Sequence, residues 1–296
     1  MGLLLFLFFI NDLLNISNAF TSILFADDTT LSFNCSTIEQ TNQLCNAEMH
    51  KFFLWALSNK LSINFGHHKS YYIVHTYRDL NFDDLSIELN GNILQNLDEG
   101  LFLGVTIDNK LKYKTHINNI CTKLSKSIGI IFKLSKLKVP LSVLIQVYYS
   151  LVYPYLNYNV CSYAGTYPSH LNRLLLLQKR LVRILSNAPF LAHTDRLFHV
   201  NKILKIADIY KLNIGMYMYD HNLTGQYDRT HSYNTRNRSD LIPNRARLTI
   251  SKNSISIAGP NIWNSIPHSI RNSPSRSSFK YHYKRFLLDA YTSTPP

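Results

Sequence analysis

Cysteine is scarce in this 296-residue chain and poorly spaced for structural use. Cys35, Cys45, Cys121 and Cys161 form no C-x2-C pair and show no zinc-finger spacing. Four cysteines in so long a chain make no disulfide framework, so a reducing compartment is expected. Long apolar runs are also lacking. Leu3–Ile10 is unbroken but too short to span a bilayer. No basic stretch precedes it, Asn11-Asp12 follow at once, and no small-x-small cleavage site is present, so secretion is not expected. Gly2 opens no myristoylation motif, because position 6 is Phe6. The adjacent pair His67-His68 lacks the i, i+4 spacing of a helical metal site and reads as structural or solvated. Internal repeats and long low-complexity tracts are absent. Positive charge is rare in residues 1–108, which hold 4 Lys/Arg against 12 Asp/Glu. Acids are rare in 109–296, which hold 27 Lys/Arg against 6 Asp/Glu.

What is present reads as globular: 46% hydrophobic and 17% charged residues. The net charge of +13 falls entirely on the second part, which suggests a polyanionic partner. Nucleic acid is the commonest; a merely solvated basic surface and a membrane surface are the alternatives. Two apolar runs, Ile23–Ala26 and Thr29–Phe33, flank Asp27-Asp28 and predict a hairpin with acids at its turn. Residues 38–57 predict a helix capped by Ser36 or Thr37. Leu61–Phe65, Tyr71–His75 and Leu101–Ile107 predict strands, the last with Gly104 inside it. Asn90-Gly91 predicts a hairpin turn within 79–99. From about residue 113 the pattern is helical, in segments near 113–133, 140–151, 171–185 and 208–221. Six Lys/Arg and one acid over 229–252 predict a basic connector. Beyond it lie a Gly-Pro turn, Trp263 and a short last helix.

Asp27-Asp28 is the chemically pointed feature. Adjacent like charges at a turn repel, and turns offer cheaper residues. A divalent cation would offset that repulsion, since Mg2+ prefers hard oxygen ligands. The plainer reading is a solvated turn, and Asp83-Asp84 repeats the dipeptide.

Phe25-Ala26-Asp27-Asp28 followed by Thr29-Thr30-Leu31 resembles motif C of reverse transcriptases, and the resemblance extends through ordered blocks. Leu3–Leu13 resembles the end of motif B and its following helix. Asn59-Lys60-Leu61-Ser62-Ile63-Asn64 through Lys69-Ser70 is similar to motif D, with Ser70 where that family usually has Thr. Phe102-Leu103-Gly104-Val105-Thr106-Ile107-Asp108 resembles motif E, the primer grip. Residues 113–222, with Leu177-Gln178-Lys179-Arg180 and Asn187-Ala188-Pro189-Phe190, resemble the thumb region of LINE-type enzymes. Tyr233-Asn234-Thr235-Arg236 and Gly259–Pro267 are similar to the tail of such non-LTR elements.

The resemblance implies roles by position. Asp27 would be the main metal ligand and Asp28 its acidic neighbour. Lys69 would lie near the triphosphate, where a cation stabilises the leaving group. Phe102, Leu103 and Gly104 would place the primer end. Lys123, Lys126, Arg173, Lys179, Arg180 and Arg183 would contact phosphates of an RNA template and DNA primer. The implied cofactor is Mg2+ or Mn2+, held only if the motif A carboxylate is supplied. Before Asp27 there is one acid, Asp12, which lies in the motif B-like segment. The expectation is therefore a carboxy-terminal piece of an RNA-directed DNA polymerase, inactive alone. The alternative is a non-catalytic nucleic-acid-binding module. An intracellular protein without membrane association is expected. The fold class expected is α+β: a partial palm of antiparallel hairpins plus helix over 1–108, an all-helical thumb-like region over 109–225, and an irregular, loosely folded basic tail over 226–296. Missing palm partners should leave a sheet edge and apolar surface exposed.

Overall fold

Short hairpins with few apolar residues precede long segments of helical periodicity, and the chain folds accordingly as two units. The computed structural model describes residues 2–66, 69–78, 80–221 and 240–292. One unit comprises Met1–Gly100 with Asp108–Lys110, the other Leu101–Ile107 with Leu111–Pro296. Among the described residues no helix is long and apolar enough to cross a membrane. His67-His68, Tyr233–Arg236 and the first part of the basic connector lie outside the described residues.

The first unit begins with α1 (Gly2–Asn11), continued by a single 3-10 turn over Asp12–Asn15. So apolar a run is expected to be buried, yet Leu4 is 60% and Phe8 72% exposed, while Ile10 and Leu13 are buried. Strands β1 (Thr21–Phe25) and β2 (Asp28–Ser32) pair antiparallel. Helix α2 (Ile38–Ser58) starts where Thr37 accepts a hydrogen bond from the Gln40 amide at 3.2 Å. This satisfies one of the free N–H groups of its first turn. Two asparagines one turn apart on α2 then act as a strand edge. Asn42 and Asn46 each bond both ways with the backbone of residues 84–88, at 2.7–2.9 Å. This places Leu85 and Ile87 against Cys45, forming a small core.

The remaining strands are fragments. Strands β4 (Glu88–Leu89) and β5 (Asn92–Ile93) turn at Asn90-Gly91, whose φ values of 51° and 72° suit a type I′ hairpin, as the Asn-Gly signal predicts. Strand β3 is reduced to Tyr71–Tyr72 and pairs parallel, not antiparallel, with β6 (Gln95–Asn96). Leu61–Phe65 forms no strand. The predicted strand 101–107 is instead a tight pair, β7 (Glu99–Phe102) and β8 (Val105–Asp108). Its two-residue turn, Leu103-Gly104, has φ values of 45° and 81°.

The second unit is helical. Its long helices are α3 (Lys114–Lys136), α4 (Leu141–Leu151), α7 (Pro168–Leu185) and α9 (Ile206–His221). Short helices α5 (Tyr153–Asn157), α6 (Val160–Tyr163) and α8 (Asp195–Val200) join them. Ile117, Ile120, Leu124, Ile128 and Ile131 bury one stripe of α3, as their spacing predicts. Gln178, buried on α7, donates to Leu204 O at 3.1 Å and accepts from Ile206 N at 2.8 Å, closing the entry into α9.

Residues 240–292 are not an irregular tail. They form α10 (Thr249–Lys252), α11 (Ile255–Ser265), α12 (His268–Arg271) and α13 (Arg276–Asp289). Trp263, Ile266, Phe279, Tyr283, Leu287 and Tyr291 complete the core of this unit. Gly259-Pro260 lies inside α11 rather than at a turn, and a Cβ on Gly259 would stand 2.7 Å from Met218 Sδ of α9. The segment just after α13 is fixed by buried polar groups: the Tyr291 hydroxyl donates to Asp208 Oδ2 at 2.5 Å and accepts from Lys205 N at 3.0 Å. The α+β composition stands.

Candidate functional site

In the first unit the acidic pair is a product of hairpin register. Phe25 is the partner of Asp28, so the two turn residues are Ala26 and Asp27, and Asp28 opens β2. The turn is thus one residue earlier than apolar spacing suggests. Ala26 takes φ 52°, a left-handed conformation that costs a non-glycine residue about 1–2 kcal/mol. Strain of this kind, held by flanking pairing, is common at functional turns. Both carboxylates are exposed, and Ile23 and Phe25 beside them are 45% and 62% exposed.

Two neighbouring carboxylates suit Mg2+ in kind, and Mg2+ typically completes its shell with phosphate oxygens and water. Among the described residues no group of three or more His, Cys, Asp or Glu side chains is arranged to hold a metal ion. Asp12 supplies no third ligand: it accepts from Asn15 at 3.3 Å and from the Trp55 indole at 3.5 Å. The residues present do not by themselves fit a resident ion. Lys69 is exposed on a turn closed by its own amide donating to Gly66 O at 2.9 Å.

In the second unit the Leu103-Gly104 turn is held from below. Tyr158 donates to Leu103 O at 2.6 Å, the Thr106 amide donates to His116 Nδ1 at 3.3 Å, and Asn119 reaches Thr106 Oγ1 at 3.4 Å. Phe102 and Leu103 are half-buried and Gly104 is exposed. Of the basic residues, Lys123, Lys126, Arg173 and Arg180 are exposed, while Lys179 and Arg183 are half-buried. Arg173 of α7 bonds Asn118 of α3, joining the two helices that carry these charges. Lys123 lies over the Tyr155 ring at 5.4 Å. Arg183 donates to Ala192 O at 3.0 Å, so it serves the backbone as well as the surface.

Comparison with known proteins finds partial sequence relatives. The chain is 26% identical over 188 residues to the RNA-directed DNA polymerase from mobile element jockey of Drosophila funebris. It is 31% identical over 126 residues to the protein of the same name from Drosophila melanogaster. The chain is similar to part of an RNA-directed DNA polymerase of a mobile element. The alignments cover 62% and 41% of this chain but 20% and 14% of those relatives, so the chain spans a fifth or less of their length. No family model and no solved structure matches it.

Sequence reasoning missed the supports of the Leu103-Gly104 turn. Tyr158 lies 55 residues from its partner, and nothing in local spacing marks it. Glu48 was missed as well. It is 4% exposed on the inner face of α2, where Lys51, at 2.7 Å, and Ser17 hold its carboxyl below the usual range. Its signal was legible: an acid three residues after Cys45, on the same helical face.

Proposed function

We propose that this chain carries the part of an RNA-directed DNA polymerase that runs from the aspartate turn through the thumb. Asp27 and Asp28 would be metal-facing carboxylates, Lys69 a triphosphate-side cation, and Phe102–Gly104 the primer-positioning turn. The observation that carries the reading is the Asp27-Asp28 pair displayed on a strained two-residue hairpin. The palm and thumb names belong to this proposal: hairpins plus α2 as a palm edge, α3 and α7 as thumb-like helices. With no third carboxylate near the pair among the described residues, the chain by itself adds no nucleotides. Mg2+ or Mn2+ binding then needs a carboxylate from another segment. What the isolated chain retains is nucleic-acid binding through Lys123, Lys126, Arg173, Lys179, Arg180 and Arg183.

Primer extension on an RNA template, with Mg2+ or Mn2+, tests this directly. The expected result is no extension by either the chain or its Asp27→Ala variant. Template-primer binding should be equal in the two and weaken steeply with salt, because phosphate contacts release counterions. Extension that disappears in Asp27→Ala would show the site to be complete and the inactivity argument wrong. Binding indifferent to salt would remove the phosphate contacts from the reading.

A further inference from the structure

Helix α7 ends at Leu185 and α8 begins at Asp195. Between them Pro189–Ala192 closes a tight turn, with Ala192 N donating to Pro189 O at 3.0 Å. Phe190 and Leu191 therefore occupy the two corner positions, which ordinarily hold Gly, Asn, Asp, Ser or Pro. They are 80% and 85% exposed, more than any other large hydrophobic side chain among the described residues. Nothing in packing explains them, since neither contributes to the core.

The turn is firmly held. Ala188 N donates to Arg183 O at 2.9 Å and Asn187 N to Ile184 O at 3.2 Å, fastening the segment to the end of α7. The Arg183 side chain donates to Ala192 O at 3.0 Å and so grips the far side. The same guanidinium lies 6.0 Å from the Phe190 ring centre. Arg180 sits one helical turn before Arg183 and is exposed, as is Arg196 on α8. An exposed ring beside a fixed cation matches what single-stranded nucleic acid requires. Bases stack on aromatic faces, and phosphates meet guanidinium groups.

We propose that the Phe190-Leu191 turn is a base-stacking tip that takes unpaired nucleotides of a single strand, with Arg183 and Arg180 on the adjoining phosphates. The inference rests on the reading of α7 as a nucleic-acid-binding helix and adds to it a contact with bases. A contact with bases makes a different prediction from one with phosphates. It distinguishes single strands from duplex, whose bases are already stacked, and it leaves the salt dependence nearly unchanged.

The test is fluorescence anisotropy of the full chain with a labelled oligouridine of about twenty nucleotides, and with a duplex of equal length, over a salt series. Phe190→Ala should weaken single-strand binding by about tenfold. Duplex binding and the salt slope should stay near those of the parent. Phe190→Trp should retain affinity, and Phe190→Leu should fall with Phe190→Ala, because an aliphatic side chain offers no π-face. The residue is exposed, so circular dichroism of each variant should match the parent. If the parent chain shows no salt-dependent binding, both the helix reading and the tip fall. If Arg180→Ala weakens binding while Phe190→Ala does not, only the tip falls. Equal losses for single strand and duplex, or full affinity in Phe190→Leu, would overturn stacking. A Phe190→Ala variant altered only in sedimentation would make the turn a self-association surface instead.

Discussion

His116 shows how a single side chain can be committed to one protonation state. It is 6% exposed, and its Nδ1 accepts from the Thr106 amide, so the ring must be neutral with its proton on Nε2. Burial, and secondarily the charge of Lys123, pushes its pKa below the ordinary value of 6.5. An imidazole with a depressed folded pKa binds fewer protons folded than unfolded. Its contribution to stability is therefore intact above the unfolded pKa and is lost as pH falls through that value towards the folded one. The urea midpoint of the helical unit should accordingly drop as the pH is lowered from about 7.5 to about 5.5. His116→Asn keeps an acceptor near the Nδ1 position and cannot titrate, so its midpoint should change less over the same range. An identical pH dependence in both proteins would remove His116 as the cause. None of this is visible in the sequence, where His116 is one of 12 histidines. The Asp27-Asp28 pair is the opposite case. Adjacent acids between apolar runs announce themselves, whereas the left-handed Ala26 that shifts their turn does not, because alanine rarely adopts that conformation.

Among the elements, α9 shows the packing constraint most sharply, because α11 and α13 both cross it at glycines. A Cβ on Gly215 would lie 2.6 Å from Cε1 of Tyr283, a ring 1% exposed and unable to swing away. Gly215→Ala should therefore lower the unfolding midpoint, since overpacking of about 1–3 kcal/mol outweighs the helix-propensity gain of about 1 kcal/mol. Gly129 on α3 is the control. Nothing lies within 4 Å of its would-be Cβ, so Gly129→Ala should stabilise by about 0.5–1 kcal/mol. Chemical denaturation of both variants checks the pair, and a stabilised Gly215→Ala would show that α13 can give way. Long helices such as α3 and α7 were legible because their buried stripes repeat every three or four residues. The β7–β8 turn was not. Its first residue is Leu103, a poor candidate for positive φ, and it is held by Tyr158 from far along the chain. Gly259-Pro260 misled for a related reason. The dipeptide marks turns locally, but here tertiary packing on Met218 of α9 keeps it helical.

Over the whole molecule, charge and apolar surface divide unevenly between the two units. The basic residues gather in the helical unit, while the first unit is acidic and starts with an α1 helix whose Leu4, Leu5, Leu7 and Phe8 are each at least 50% exposed. Composition anticipated the charge imbalance, and the missing palm partners anticipated an uncovered apolar surface, but the Leu3–Ile10 run itself was expected to be buried rather than exposed. Fully burying a leucine or phenylalanine side chain is worth about 1.5–3 kcal/mol, so several together on one short helix favour association. The acidic excess of the first unit opposes it only at low salt, where repulsion is unscreened. Sedimentation velocity on the chain should thus show self-association that grows with protein concentration and persists or strengthens as salt is raised. Nucleic-acid binding should move the other way with salt, which separates the two behaviours in one titration. Substituting Leu5→Glu and Phe8→Lys together should suppress the association without changing the circular dichroism, because both side chains already face solvent. A parent chain that stays monodisperse at high salt would mean that this surface is not sticky enough to matter. Association that survives the double substitution would move its source to another patch, and the exposed Phe25 beside the aspartate turn is the next to replace.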